Sequence, residues 1–277
     1  MDPIAQAQEA LANSHNIIVL AGAGMSADLG VPVYYSGSES KYGSSVSTYG
    51  YTAFEHANAS MWEIDPKNQM LYVRESWRNL LKTDPGHTES PYKVLFDWIK
   101  QTGKDYFIAT SNVDGAFART GYDEDKLYEI HGSYRFSQCL NSSYHGIYPT
   151  TDPEAGYTFC PRCISYSRPN TLYFDDFSFN DDYSLEQQDN FMRYLQAKKA
   201  AKEKTVILEI GAGETVSTLR NYAQEMSMFY KFPVIRINPD DDTIKFRTKG
   251  RAGKPNGEFV HIKENATAAL KLILKKE

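Results

Sequence analysis

The junction where Asn16-Ile-Ile-Val-Leu-Ala21 runs straight into Gly22-Ala-Gly24-Met-Ser26-Ala27 constrains this chain more than any other stretch. An apolar run of strand length with no polar alternation suits a strand buried on both faces, as in parallel sheets covered by helices. A G-x-G-x-x-G/A pattern directly after such a strand lets backbone approach a pyrophosphate. The following helix N-terminus adds free N–H groups and the positive end of its dipole. Taken alone, the pattern fits a ligand-free glycine turn equally well; its place behind a buried strand favours a dinucleotide. Further runs repeat the unit: Asp105–Thr110, Lys126–Ile130, Thr205–Ile210 leading into Gly211-Ala212-Gly213, Pro233–Asn238 and Phe259–Ile262. Helical patterns cover residues 3–14, 53–82, 90–99, 184–203 and 265–275. The predicted fold class is α/β, with a Rossmann-like, mostly parallel sheet and helices on both faces.

One part of the dehydrogenase pattern is missing. A second strand ending in Asp or Glu should follow about 20 residues after the glycines to hold the ribose. Residues 33–52 are instead rich in Tyr, Ser and Gly and read as a long functional loop or lid. A net charge of -5 and a pI near 5.7 argue against a nucleic-acid partner and suit a basic peptide substrate. No apolar run approaches the ~20 residues of a membrane span, so no membrane partner is expected. The N-terminus lacks a basic start and apolar core, and three cysteines make no disulfide framework. A cytoplasmic location is the resulting expectation.

Polar residues cluster where strands end. Thr110-Ser111-Asn112-Val113-Asp114-Gly115 follows one strand and His131-Gly-Ser133 follows the next, so Asn112, Asp114 and His131 can converge on one ligand in the crevice at the carboxyl ends of the strands. An Asx-turn with an unrelated histidine accounts for the same residues. His87, after Pro85-Gly86, reads as a capping or packing histidine. Residues 134–177 form a polar, loop-rich insert holding Cys139 and Cys160-Pro-Arg-Cys163. Cys-x-x-Cys resembles a zinc knuckle, whose sulfurs need that spacing to meet one tetrahedral ion. The site is incomplete in cysteine, and His145 is the only nearby fourth ligand. The alternative is a module that has lost its metal and packs Tyr144, Tyr148, Tyr157 and Phe159 instead.

In order along the chain, these pieces resemble the sirtuin family of NAD-dependent protein-lysine deacylases, as a divergent, bacterial-type member. Gly22-Ala-Gly24-Met-Ser26 with Gly30-Val-Pro32 resembles the family's GAGxS…GIP. Thr110–Gly115 resembles TQNIDG, with Ser111 for Gln, and Glu129–Ser133 resembles ELHGS. Cys160–Cys163 and Arg168–Phe174 resemble CPxC…RPxVVxFGE. Gly211-Ala212-Gly213 stands where the family has GTS, and Ile237-Asn238 matches V/I-N.

The resemblance implies a role for each. His131 is the general base on a ribose hydroxyl of NAD, with Asn112 and Asp114 catalytic beside it in the nicotinamide and ribose pocket together with Ser111. Gly22, Ala23, Gly24 and Ser26 approach the phosphates, Tyr34 shields the reactive ribose, and Gly211, Ala212, Gly213 and Asn238 hold the adenosine half. It also implies an acylated-lysine peptide lying as an added strand between two lobes. A Rossmann-like NAD-binding domain comprises residues 1–33, 84–133 and 178–277. A small domain has a loop and helical part, 34–83, and a zinc-ribbon-like part, 134–177. The chain departs from the pattern at Val33-Tyr34-Tyr35 for Asp-Phe-Arg, at Phe117 for a histidine, at Asp175 for the glycine of FGE, and at one zinc cysteine. Tyr72-Val-Arg-Glu75 lacks the Tyr-x-x-Arg pair that favours acidic acyl groups, so a neutral acyl chain is expected. The alternative activity at the same site is NAD glycohydrolysis or ADP-ribosyl transfer.

Overall fold

The computed structural model describes residues 2–32, 46–150, 159–214, 216–239, 246–248, 251–253 and 258–274. The chain begins with α1 (Pro3–Asn13), β1 (Asn16–Ala21) and a single turn, α2 (Gly24–Ala27). A helical segment follows, α3 (Ala53–His56), α4 (Met61–Ile64) and α5 (Pro66–Lys82), then α6 (Pro91–Thr102). Next come β2 (Asp105–Thr110), α7 (Ala116–Thr120) and β3 (Leu127–Glu129). The insert contributes β4 (Gly132–Cys139), β5 (Ile147–Pro149) and β6 (Ser167–Thr171). The remainder is α8 (Asp182–Ala200), β7 (Thr205–Ile210), α9 (Thr218–Tyr230), β8 (Val234–Ile237), the hairpin β9 (Phe246–Thr248) and β10 (Arg251–Gly253), β11 (Phe259–Ile262) and α10 (Ala266–Ile273).

Six strands make one sheet in the order β11-β8-β7-β1-β2-β3, every neighbouring pair parallel. All six residues of β1 are buried because the sheet is covered on both sides. Ile17, Val19 and Ala21 enter the core beneath α1, α6 and α10, whereas Ile18 and Leu20 enter the core beneath α8 and α9. That is why alternation is absent from the sequence of the central strands. The chain moves from β1 outward to β2 and β3, then returns to β7 on the other side of β1. The strand order therefore reverses between β1 and β7, the position where such sheets bind ligands. A buried ion pair joins two neighbouring strands of the sheet. Glu209 of β7 is fully buried and accepts from Arg236 of β8, its register partner, through Nε at 2.6 Å and Nη2 at 3.1 Å. A bidentate pair of this kind satisfies both partners.

The insert differs from the loop-rich expectation: it is a three-stranded antiparallel sheet, β5-β4-β6. β6 reads Ser-Arg-Pro-Asn-Thr, with no apolar pattern, yet every residue is buried. Polar partners replace hydrophobic contact. Arg168 pairs with Asp176 (Nη1–Oδ2 2.7 Å), and Asn170 Nδ2 donates to Gln138 Oε1 and to the Asn180 carbonyl. Trp62, Met70, Val73 and Trp77 of the helical segment form a separate small core against Tyr134, Leu140 and Tyr173. Backbone joins the two pieces as well: Phe174 donates to the Ala57 carbonyl, and its own carbonyl accepts from Ala59, both at 2.9 Å. Asp175 adopts the left-handed region (φ 56°) that a glycine occupies without cost, and Asn58 Nδ2 donates to its carboxylate at 2.9 Å.

Candidate active site and metal centre

Where β1 and β2 end, the chain is stitched so that polar side chains meet. Thr110 Oγ1 donates to the Ala21 carbonyl and accepts from the Asn112 amide, which holds the two strand ends together beyond the sheet. The Asn112 side-chain amide then donates to the Gly22 carbonyl at 3.0 Å, to Ser26 Oγ at 3.1 Å and to Tyr92 Oη at 3.2 Å. Ser26 Oγ donates to Asp114 Oδ2 at 2.5 Å and lies 2.6 Å from Tyr92 Oη, so the tyrosine hydroxyl is the donor to Ser26. Asp114 Oδ1 accepts from the Ala116 amide. Asn112, Asp114, Ser26 and Tyr92 are all buried. Burial pushes the Asp114 carboxyl up, and the Ser26 hydroxyl and Ala116 amide act in the opposite direction. Tyr92 is held well above its ordinary range by burial and by the charge of Asp114.

His131 follows β3, which is tied to β2 by the Ile130 amide on the Thr110 carbonyl, and its own carbonyl accepts from Leu172. Burial pushes its imidazole below the ordinary value, opposed by a hydrogen bond with the Ser111 backbone. Beneath it, Glu129 is buried and pushed up by burial, while Arg135 Nη2 at 2.9 Å acts to lower it. Phe117 packs edge-on against Tyr92 (ring centroids 4.8 Å apart) and forms part of the core.

At the other end, Gly211-Ala212-Gly213 turns out of β7. The Ala212 carbonyl accepts from Asn238 Nδ2 at 3.1 Å and from Arg220 Nε at 2.9 Å. The glycines of the two turns face each other. A Cβ on Gly22 would lie 2.6 Å from the Gly211 carbonyl oxygen, and one on Gly24 would lie 2.7 Å from the Gly211 Cα. Backbone-to-backbone packing at the β1–β7 reversal is thus a reason for glycine here in addition to space for a phosphate.

One cavity of about 950 Å³ runs through this region. It brings together Gly22, Ala23, Gly24, Ser26, Ser111, Asn112, Asp114, His131, Gly211, Gly213 and Asn238. Ala212 is buried behind its wall, joined to it through the Asn238 and Arg220 hydrogen bonds. Tyr34 lies outside the described residues. Three lining or supporting residues were not singled out by the sequence as parts of a site. Tyr92 was legible only as a helix residue after the Ser90-Pro91 cap. His56 stacks on Tyr72 at 3.7 Å and 5° and is fixed by Gln69 Oε1 at 2.6 Å from Nδ1. Arg220 sits in the first turn of α9.

The metal-ligating candidates also converge. Cys139 ends β4, His145 ends a short turn at Ser143–His145, and Cys160 and Cys163 flank one tight turn. Their four ligand atoms lie within 4.8 Å of one another. Cys139 Sγ is 3.5 Å from Cys163 Sγ, and Cys160 Sγ is 3.5 Å from His145 Nδ1. The Asn141 amide donates to Cys139 Sγ and the Arg162 amide to Cys160 Sγ, as metal-binding turns require of thiolates. Hydrogen bonds from Ser165 bring the Cys163 thiol down to about 6, whereas burial raises Cys139. Three sulfurs and one imidazole nitrogen at these separations fit a closed tetrahedral zinc site, the structural kind, with His145 Nδ1 in the fourth position.

A switch-point cavity floored by glycine turns and lined by an amide, a carboxylate and a histidine defines a dinucleotide-binding α/β protein, and its insert carries a Cys₃His cluster able to hold a metal ion. Residues 22–216 match the model of the Sir2 family, and the chain belongs to that family. A Deinococcus radiodurans protein described as an NAD-dependent protein deacylase is 24% identical over 276 residues, covering 98% of each chain. A Fusarium oxysporum protein described as a probable bifunctional ADP-ribose hydrolase/ADP-ribosyltransferase is 28% identical over 140 residues; the match takes in 49% of this chain and 22% of that longer protein. In fold, the chain is similar to a crystal structure of a Sir2 homolog–NAD complex, with a TM-score of 0.68, 17% identity and coverage of 98% of this chain and 92% of that one.

Proposed function

We propose that this protein removes an acyl group from protein lysine with consumption of NAD and one water, yielding the free lysine, nicotinamide and O-acyl-ADP-ribose. The observation that carries this reading is the convergence of Asn112, Asp114 and His131 on one cavity at the β1–β7 reversal of a Sir2-family chain. NAD supplies an activated glycosidic bond and, once nicotinamide leaves, a ribose carbon open to the acyl oxygen of the substrate. The residues of the chain have separable tasks. Asn112 is fixed through its amide nitrogen on Gly22, Ser26 and Tyr92, so its amide dipole is pre-oriented. The buried Asp114 carboxylate is one of the groups that favour positive charge developing on the ribose. His131, whose imidazole burial pushes below its ordinary value, takes the proton from a ribose hydroxyl. Gly22, Ala23, Gly24 and Ser26 approach the diphosphate; Ser111 belongs to the nicotinamide and ribose end; Gly211, Ala212, Gly213 and Asn238 hold the adenosine half.

The acylated-lysine chain enters along the wall of Tyr72, Val73 and Leu80. No Lys or Arg from this wall is among the described lining residues, and Glu75 beside it accepts from Tyr49 Oη at 2.6 Å. That favours a neutral acyl chain over an acidic one. The division of the chain follows from the same reading. Residues 1–33, 84–133 and 178–277 bind NAD, and residues 34–83 and 134–177 form the smaller lobe. Helices long and apolar enough to cross a membrane are absent among the described residues.

The test is to follow nicotinamide release by chromatography, with and without an acetylated peptide. Release that depends on the peptide, accompanied by O-acetyl-ADP-ribose and lost in His131→Ala, is expected. Equal release without peptide, or ADP-ribose carried onto protein, would overturn deacylation in favour of hydrolysis or transfer.

A further inference from the structure

The cavity holds a charge imbalance. Among its described lining residues the carboxylates are Asp114, Glu214 and Glu264, whereas Arg220 is the one Lys or Arg. A dinucleotide adds two phosphate charges to this wall. Arg220 is also placed against its own helix. It lies in the first turn of α9, where the macrodipole is positive and a cation is disfavoured unless an anion joins it. The side chain is 10% exposed, so the guanidinium is largely withdrawn from water. Its Nε donates to the Ala212 carbonyl at 2.9 Å, which fixes the fork. That carbonyl already receives Asn238 Nδ2 at 3.1 Å, so the turn does not depend on Arg220 for a donor. Glu214, 3.7 Å from Arg220 Nη1 and 56% exposed, is a loose rim partner.

Resting on the NAD reading above, we propose that Arg220 is a diphosphate-binding residue, delivering from α9 the positive charge that the nucleotide requires. A guanidinium suits this task because its planar fork offers paired donors to phosphate oxygens, and a dry site strengthens each bond. Glu214 competes with the phosphates for the same group.

The experiment is calorimetric titration of the full chain with ADP-ribose and, separately, with adenosine, which uses the adenosine end of the cavity but carries no phosphate. Arg220→Met is expected to weaken ADP-ribose binding by about tenfold or more and to leave adenosine binding unchanged. Glu214→Gln, a substitution at an exposed residue that tests the same idea should Arg220→Met fold poorly, is expected to tighten ADP-ribose binding several-fold and leave adenosine unaffected. Parallel changes for both ligands would make Arg220 a prop for the Ala212 turn and overturn the assignment, as would no change for either. A wild-type chain that binds neither ligand would overturn the NAD reading itself.

Discussion

Replacing His145 by Ala tests the metal centre with a magnitude set by geometry. A tetrahedral ion with Zn–S of about 2.3 Å and Zn–N of about 2.0 Å has S···S edges of about 3.8 Å and S···N edges of about 3.5 Å. The observed Cys139–Cys163 and Cys160–His145 separations are both 3.5 Å. These two edges are therefore close to liganded size, and all four ligand atoms lie within 4.8 Å of one another. Structural zinc sites bind with ~10–16 kcal/mol. An even quarter share for one ligand is ~3 kcal/mol, or about a hundredfold in Kd. Elemental analysis should find one zinc per chain, and competition with a chromophoric chelator should show the hundredfold loss in His145→Ala. His145→Cys should restore affinity by returning a fourth ligand to the ion. Unchanged affinity in His145→Ala, or a wild-type chain that takes up no zinc, would refute the reasoning. The first outcome would remove His145 from the site, and the second would leave β4–β6 standing on its polar core alone.

Three other outcomes follow from the structure. Tyr92→Phe deletes a fully buried hydroxyl that serves Ser26 and Asn112, so it should cost ~1–2 kcal/mol, read as a fall of ~2–4 °C in Tm for a chain of this length; NAD affinity should fall with it. Gly24→Ala places a Cβ 2.7 Å from the Gly211 Cα; backbone must move, costing ~1–3 kcal/mol, and ADP-ribose binding by calorimetry should be lost even where the protein stays folded. For His131, burial lowers the folded pKa relative to about 6.5 in the unfolded chain. The linked stability is therefore complete above pH ~6.5 and declines as pH falls through the lowered folded value. The acid limb of kcat/KM should lie below pH ~6.5, and His131→Asn should flatten the acid-side loss of stability measured by urea unfolding.

The legibility of this fold followed hydrophobicity. β1, β2 and β7 announced themselves because two-sided burial demands unbroken apolar residues, and the glycine turns behind them marked the reversal. β6 gave no such signal. Ser167–Thr171 is buried through Arg168–Asp176 and Asn170–Gln138, and polar satisfaction leaves no periodicity to read. β4 was missed for the related reason that its partners are β5 and β6. The helix expected after Gly24 is one turn long, since Gly30 and Pro32 follow closely. At the site, Asn112, Asp114 and His131 could be placed together because each ends a strand of one sheet. Tyr92 could not, since its meeting with Ser26 joins positions 66 residues apart and depends on how α6 lies over the sheet. His145 was within reach of the sequence because it is the only ligand type near Cys139; the proof of its position needed the turn at Ser143–His145.

The contact of Gly22 and Gly24 with Gly211 has a consequence for how such a site can diverge. No side chain stands between the two turns, so the floor of the cavity offers nothing to vary: any substitution there collides with backbone. Change must come from the rim, where Glu214 and Arg220 belong to α9 and its approach; in the sequence, Val33-Tyr34-Tyr35, outside the described residues, already replaces a charged pair. A lineage can therefore exchange its loop residues and one zinc cysteine while the nucleotide floor stays fixed, and the chemistry performed above that floor is free to drift further than the fold beneath it.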